Sequence, residues 1–360
     1  MIMKKTNAPT SSINGNQNTK PRVIGYVAGR SGGHLLPALT HARAHKQQHP
    51  TDRILFFSTD TTLDANVVHG ADCVDIYVRL SLDNIPYGRL FAYPQFIWRL
   101  GATFMRSLWY MWHYTPEKIV SMGGYVSIPV CLAARVMRIP VELFELNAVP
   151  GRATQFLAPY ARSVFVCFEQ SRSYFPATAL VAPYPLRFTA SVHVHGVSHL
   201  YQYGFVGNKK TVLVLGGSQG SLSINRAIGR WLDAMPYLRD EVQIIHQTGD
   251  QDTIDWIHWY RERDIAAYVF AYRDDLAPLY ACADLIICRA GAGTLFEVAF
   301  FHKPCIVIPL KTHSTSHQLD NARAMAAQHP DLFTVLDHNV LEQNESLFHT
   351  HLIKGLHSGY

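Results

Sequence analysis

Apolar residues in this chain fall into short unbroken runs, and the segments between them carry helical spacing. Val23–Ala28, Arg53–Ser58, Val74–Leu80, Lys118–Met122, Val141–Leu146, Ser163–Phe168 and Ala179–Ala182 read as strands over the first half. Thr211–Leu215, Val242–Gln247, Tyr268–Ala271, Leu285–Cys288 and Ile306–Leu310 form a second series. These runs do not alternate between apolar and polar, so both faces of each strand are buried, which indicates parallel sheets between helix layers. Helical patterns cover Leu35–Gln47 and Val126–Met137, and further helices are expected to start near Ser221, Asp275, Gly293 and Ser316. Phe188 to Lys210 has no clean period and reads as a linker. The fold class is therefore α/β, with two doubly wound, Rossmann-like domains over 21–187 and 211–360.

One helical region departs from this pattern. Tyr87 to Tyr114 gathers Phe91, Phe96, Trp98, Trp109 and Trp112 around Arg89, Arg99 and Arg106. Arg99 and Arg106 are seven residues apart and share a helical face. Arginine among clustered Trp and Tyr is the pattern of a helix lying on an anionic bilayer surface. The competing reading is a large core or interdomain helix.

Length and composition narrow the picture. At 360 residues and 48% hydrophobic, the chain can fill two cores, which excludes wholesale disorder. A formal charge of +5 suits anionic partners without choosing among lipid, nucleotide and nucleic acid. The six cysteines fall mostly in apolar runs without a C-x-x-C pair, so buried free thiols are expected. Residues 1–20 are polar and read as a flexible tail, not a signal peptide. No run is long enough to span a bilayer, so a cytoplasmic protein is expected.

Candidate chemistry lies in the turns that end strands. Gly29-Arg30-Ser31-Gly32-Gly33-His34 and Gly216-Gly217-Ser218-Gln219-Gly220 each join a strand to a helix. Turns poor in side chains bare their backbone N–H groups, and the following helix adds its positive dipole end, a combination suited to phosphate. His34 is placed to take a proton from a hydroxyl, to bind phosphate oxygens, or merely to cap its helix. Gly123, Gly124 and Tyr125 form a third such junction. Glu145 and Asn147 end an apolar strand, facing either the cleft floor or, for Glu145, a structural ion pair. In Arg289-Ala290-Gly291-Ala292-Gly293-Thr294, small residues open a helix that carries Glu297 one turn in, where a carboxylate can accept bonds from ribose hydroxyls. Gln318 and Asn321 share one helical face. His313 and His317 are four apart, but no local carboxylate completes a metal site. Neither a P-loop nor a full G-x-G-x-x-G fingerprint is present.

Taken in order, G-G-H-x-x-P-A-L, M-G-G-Y-V-S, E-x-N-x-x-P-G, G-G-S-Q-G, C-R-A-G-A-x-T-x-x-E and H-Q-x-x-N-A span roughly Pro21 to Met325. This set resembles the MurG-type N-acetylglucosaminyltransferases of peptidoglycan synthesis, in glycosyltransferase family 28. The resemblance implies a GT-B fold, two domains facing a central cleft. The first would be an acceptor and membrane-docking domain and the second a donor-binding domain ending in a shortened tail. It implies inverting, metal-independent transfer of N-acetylglucosamine from UDP to the 4-hydroxyl of a muramyl-peptide diphospholipid, lipid I, with no cofactor. Glu297 would hold ribose, Ser218 and Gln219 the diphosphate, Gln318 and Asn321 the donor sugar, and the backbone at Arg273 the uracil. His34, Glu145 and Asn147 would face the acceptor, with His34 the general base. The aromatic helix corresponds to the family's docking region on the inner face of the membrane. The chain departs from the family pattern at Arg30, Ser31 and Phe144, and it keeps Arg187 where the usual preceding asparagine is Tyr184. A relative with another lipid or small-molecule acceptor, or a weakened scaffold binding other cell-wall enzymes, are the alternatives. Nucleic acid is not an expected partner.

Overall fold

In the computed structural model, the described residues are 21–29, 32–82, 86, 88, 90–175, 178–188, 200–217, 219–310 and 317–357. Two parallel sheets organise them. The first holds β1 (Val23–Val27), β2 (Arg53–Thr59), β3 (Ile76–Leu80), β4 (Lys118–Ser121), β5 (Val141–Glu145), β6 (Ser163–Val166) and β7 (Leu180–Val181), in the order β3-β2-β1-β4-β5-β6-β7. The second holds β8 (Lys210–Leu215), β9 (Val242–Gln247), β10 (Ala267–Phe270), β11 (Leu285–Cys288), β12 (Cys305–Val307) and β13 (Phe333–Val335), in the order β10-β9-β8-β11-β12-β13. Strands such as Ile54–Phe57 and Val242–Ile245 are buried on both faces, as their unbroken apolar runs require.

Crossover helices cover the sheets. In chain order they are α1 (Gly32–Gln48), α2 (Thr62–His69), α3 (Tyr93–Tyr114), α4 (Ser127–Val136), α5 (Arg152–Leu157), α6 (Leu222–Ala234), α7 (Trp256–Arg261), α8 (Ala277–Cys282), α9 (Ala292–Phe301), α10 (His317–Gln328), α11 (Val340–Gln343) and α12 (Glu345–His357). The sequence pattern missed α2, α5, α7, β13 and the last two helices. β13 is three residues long and α7 six, too short for a period to show. Residues after Asn321 complete the second sheet and pack on it, with Phe348, Leu352 and Leu356 buried in its core. Within the expected linker, Leu200 and Phe205 are buried in the core as well. All six cysteines are free and buried.

The helix of the aromatic segment is amphipathic in reverse. Its buried positions are Thr103, Ser107 and Met111, four apart, with the Ser107 hydroxyl donating to the Thr103 carbonyl at 2.8 Å. Trp98, Met105, Trp109 and Trp112, at helical spacing on another face, are 76%, 62%, 53% and 67% exposed. Phe91, just ahead of the helix, is fully exposed, while Phe96 and Arg99 are half-buried and Arg106 is exposed beside the Tyr110 ring. The core-helix reading therefore fails for the tryptophans. Among the described residues, no helix is long and apolar enough to cross a membrane.

In both sheets the strand order reverses at one place, between β1 and β4 and between β8 and β11. Crossovers leave opposite faces there, so a crevice opens at the strand C-termini. Contacts made by α10 and α9 help to bind the halves together. Asn321 of α10 is 1% exposed; its Oδ1 accepts the Ala148 N–H at 2.8 Å, and its Nδ2 donates to Asn147 Oδ1 at 3.2 Å. Phe296 of α9 packs against Phe168 and Tyr184 of the first half, with ring centroids 4.9 and 4.8 Å away. Replacing Asn321 with Ala leaves a buried N–H unpaired, and such a group costs about 1–3 kcal/mol. Amide hydrogen exchange at Ala148 is expected to accelerate roughly tenfold or more in Asn321→Ala, read by mass spectrometry or NMR. Unchanged protection would show that this bond does not hold the halves together.

Candidate active site

The crevice is a cleft of about 740 Å³ lined by both halves. From the first come Gly32, Gly33 and Arg187; from the second come Gln219, Arg273, Gly291, Ala292, Gly293, Thr294, Glu297 and Gln318. These are sequence candidates, now gathered in one place. Ser31 and Ser218 lie outside the described residues, as do Arg30 and His313. Gly123, Gly124 and Tyr125 follow β4 beside this cleft and do not line it.

Backbone geometry explains the glycines at two positions. Gly124 has φ +86°, and a Cβ there would stand 3.1 Å from the Gly29 carbonyl oxygen. Gly220 has φ +75°, and a Cβ would fall 2.2 Å from the Thr248 carbonyl oxygen. Only a residue without a side chain lets these turns pack so closely while the helices start beside the cleft. The helix α6 opens at Ser221, whose hydroxyl accepts the Ile224 N–H at 3.5 Å. The helix α9 opens at Gly291 with no side-chain cap. Two helix N-termini therefore present partial positive charge to one end of the cleft.

The side chains add to that charge. Among the described lining residues, Arg187, Arg273 and Arg289 are cations and Glu297 is the sole carboxylate. Glu297 is already engaged: Arg187 Nε donates to one carboxylate oxygen at 2.9 Å and the Tyr280 hydroxyl to the other at 2.8 Å. The sequence reading gives this carboxylate to ribose hydroxyls; in the structure its oxygens also have partners within the protein. Arg187 also donates to the Asp274 carbonyl, so the end of the first half is fastened to the floor of the second. Arg273 reaches the Asp275 carbonyl at 2.7 Å and the Tyr268 hydroxyl at 3.1 Å. Gln318 Oε1 accepts the Leu310 N–H at 2.9 Å.

His34 sits in the first turn of α1, which starts three residues earlier than its apolar period indicates. Among the described residues its Nδ1 has no hydrogen-bond partner, and the same is true of Nδ1 of His317 on α10. Burial holds the His34 pKa below the ordinary imidazole value; the charge of Glu145 and a backbone bond to Met122 oppose this, and His317 reinforces it. The sequence had offered His317 only as half of a metal pair. Among the described residues, no three His, Cys, Asp or Glu side chains converge as metal ligands.

Two expected positions change character. Glu145 is 2% exposed, and its bonds among the described residues come from N–H groups and not from a cation. One of its oxygens accepts the Asn147 N–H at 2.9 Å and the Asn147 side-chain amide at 3.3 Å, and the other accepts the Gly151 N–H at 3.0 Å. It folds its own loop and does not line the cleft, and the ion-pair reading gives way to backbone and amide donors. Asn321, expected beside Gln318 at the donor sugar, is buried against that same loop. Asn147 has its side-chain oxygen committed to Asn321 and its carbonyl to Ser171.

With this geometry in place, the likeness to known proteins is informative. Residues 24–166 match the glycosyltransferase family 28 N-terminal domain, and residues 211–348 match the family's C-terminal domain. The UDP-N-acetylglucosamine--N-acetylmuramyl-(pentapeptide) pyrophosphoryl-undecaprenol N-acetylglucosamine transferase of Geobacter metallireducens is 32% identical over 304 residues, covering 83% of this chain and 81% of that protein. The protein of the same name from Bacillus pumilus is 28% identical over 306 residues, 82% and 81% of the two chains. The crystal structure of Acinetobacter baumannii MurG superposes with a TM-score of 0.72 at 26% identity, over 93% of this chain and 92% of that one. UDP-GlcNAc 2-epimerase of Neisseria meningitidis, bound to UDP-GlcNAc, shares the fold alone, with a TM-score of 0.61 at 15% identity over 92% and 91% of the chains. Two parallel-sheet domains about a shared crevice are the GT-B arrangement. Both halves and the full-length relatives agree, and the chain belongs to glycosyltransferase family 28.

Proposed function

We propose that this protein transfers N-acetylglucosamine from UDP-N-acetylglucosamine to the 4-hydroxyl of the muramyl sugar on a diphospho-undecaprenol peptide, with inversion and without a metal ion or cofactor. The carrying observation is the cleft itself. Two helix N-termini and three arginines face one carboxylate there, in a family whose relatives bear the name of that reaction. In this reading 21–187 receives the acceptor and 211–360 binds the donor.

Backbone amides at Gly217, Gln219 and Gly220 and those of 291–294 cradle the diphosphate. Glu297 takes the ribose by exchanging part of its bond to Arg187, which swings its charge toward phosphate. The backbone at Arg273 meets the uracil and Gln318 the sugar. His34 removes the proton of the attacking hydroxyl, and its depressed pKa keeps it neutral at pH 7. Glu145 and Asn147 act as positioning residues that shape the acceptor loop. Tryptophans 98, 109 and 112, with Arg99 and Arg106, seat the protein on an anionic membrane, on its inner face, where the acceptor headgroup resides.

Transfer of labelled N-acetylglucosamine to a short-chain analogue of the diphospholipid is expected, with none to diacylglycerol; the reverse preference would overturn the acceptor assignment. His34→Ala is expected to lower kcat by about 10²-fold or more. Because a base must be unprotonated, the wild-type rate should fall only as pH drops through a value below 6.5, with a plateau above it. An unaltered acid limb in His34→Ala would assign the base elsewhere. Replacing Trp98, Trp109 and Trp112 together with Ser should release the protein from vesicles of anionic phospholipid in a sedimentation assay, while its thermal unfolding stays near wild type. Retained binding would remove the docking role.

A further inference from the structure

Arg289 follows β11 at the end of the cleft where the two helix N-termini meet. It is 8% exposed, so its charge is largely removed from water. The guanidinium is fully directed: Nε and Nη2 donate to Ser221 Oγ at 3.1 and 2.7 Å, Nη2 to Ser223 Oγ at 2.7 Å, and Nη1 to the Ile308 carbonyl at 3.0 Å. Nη1 also lies 3.1 Å from His338 Nδ1. These acceptors include no carboxylate. Burial pulls its pKa down to about 10, which still leaves it charged at pH 7.

A buried cation held only by neutral acceptors is costly, and most proteins would pair or replace it. The other two cleft arginines are treated differently, since Arg187 has Glu297 and Arg273 is less deeply placed. Ser221 is also the N-cap of α6, so Arg289 fixes the residue from which that helix points at the cleft. The missing counter-charge has a natural source in a bound anion.

We infer that Arg289 is a positioning residue for the departing nucleotide: through Ser221 and Ser223 it compensates the negative charge that gathers on the diphosphate as the sugar leaves. This rests on the UDP-sugar reading above. In the transfer, the acceptor oxygen forms a bond to the anomeric carbon and its proton passes to the base. The bond from that carbon to the phosphate oxygen breaks, and its electron pair stays with the oxygen. Free UDP thus carries one more negative charge than the UDP portion of the donor. A fixed positive charge that favours the leaving group over the intact donor accelerates the step.

The test compares UDP, UDP-N-acetylglucosamine and uridine binding to the full-length wild type, Arg289→Gln and Arg289→Lys, by calorimetry or NMR titration. Arg289→Gln should lose about tenfold or more in UDP affinity, less for the donor, and nothing for uridine, which has no phosphate. Arg289→Lys should recover most of the UDP loss, and in Arg289→Gln kcat should fall while the donor KM holds. Equal losses for all three ligands would make Arg289 a structural prop, and undiminished UDP binding would remove the role; either result overturns the inference. Failure of the wild type to bind UDP would instead overturn the donor reading on which it stands.

Discussion

A buried carboxylate governs how the two halves meet. Glu145 ends β5 inside the protein, where an unpaired charge would cost several kcal/mol. Its solution is local: three N–H donors from Asn147 and Gly151 turn inward to meet it. That forces the loop 146–151 into a shape that leaves the Ala148 N–H and the Asn147 side-chain oxygen pointing outward together. Asn321 of the opposite half is the complementary amide, accepting at one atom and donating at the other. The position of the cleft walls thus descends from one charge that had to be neutralised.

The cleft shows the opposite economy. Along its walls positive character accumulates beyond what the protein itself balances, from helix dipoles as well as from arginines. Arg187 spans the boundary, bonded to Glu297 and to the Asp274 carbonyl while its guanidinium lies 5.2 Å from the Phe188 ring centroid. The bond between Arg187 and Glu297 couples the last residues of the first half to the carboxylate proposed for ribose. The helix α3 carries another unbalanced surface, apolar where a soluble helix would be polar.

Much of this was legible before any coordinates, for a physical reason. Strands buried on both faces leave continuous apolar runs, and the turns that must sit at sheet reversals leave glycines, so fold class and cleft could be read together. The tryptophans of α3 were legible because a core has no use for so many on one stretch. Glu297 and Glu145 were found as residues, but their partners were not. Arg187 is 110 positions from Glu297 and Asn321 is 173 from Ala148, separations that no local pattern encodes. Arg289 stood in a recognised motif without a role, because what marks it is that its partners among the described residues include no carboxylate, which only packing reveals. Asn321 was misplaced since helical spacing assigns a face and says nothing of what covers it.

The aromatic contact between the halves differs in kind from the amide clamp. Phe168, Tyr184 and Phe296 meet ring against ring, and apolar contact has little directional preference. Hydrogen bonds at Asn321 resist any separation that lengthens them by a fraction of an ångström. Sliding within the ring contact at Phe296 therefore costs less than parting the lobes at Asn321 or at Arg187, where directional bonds would have to break.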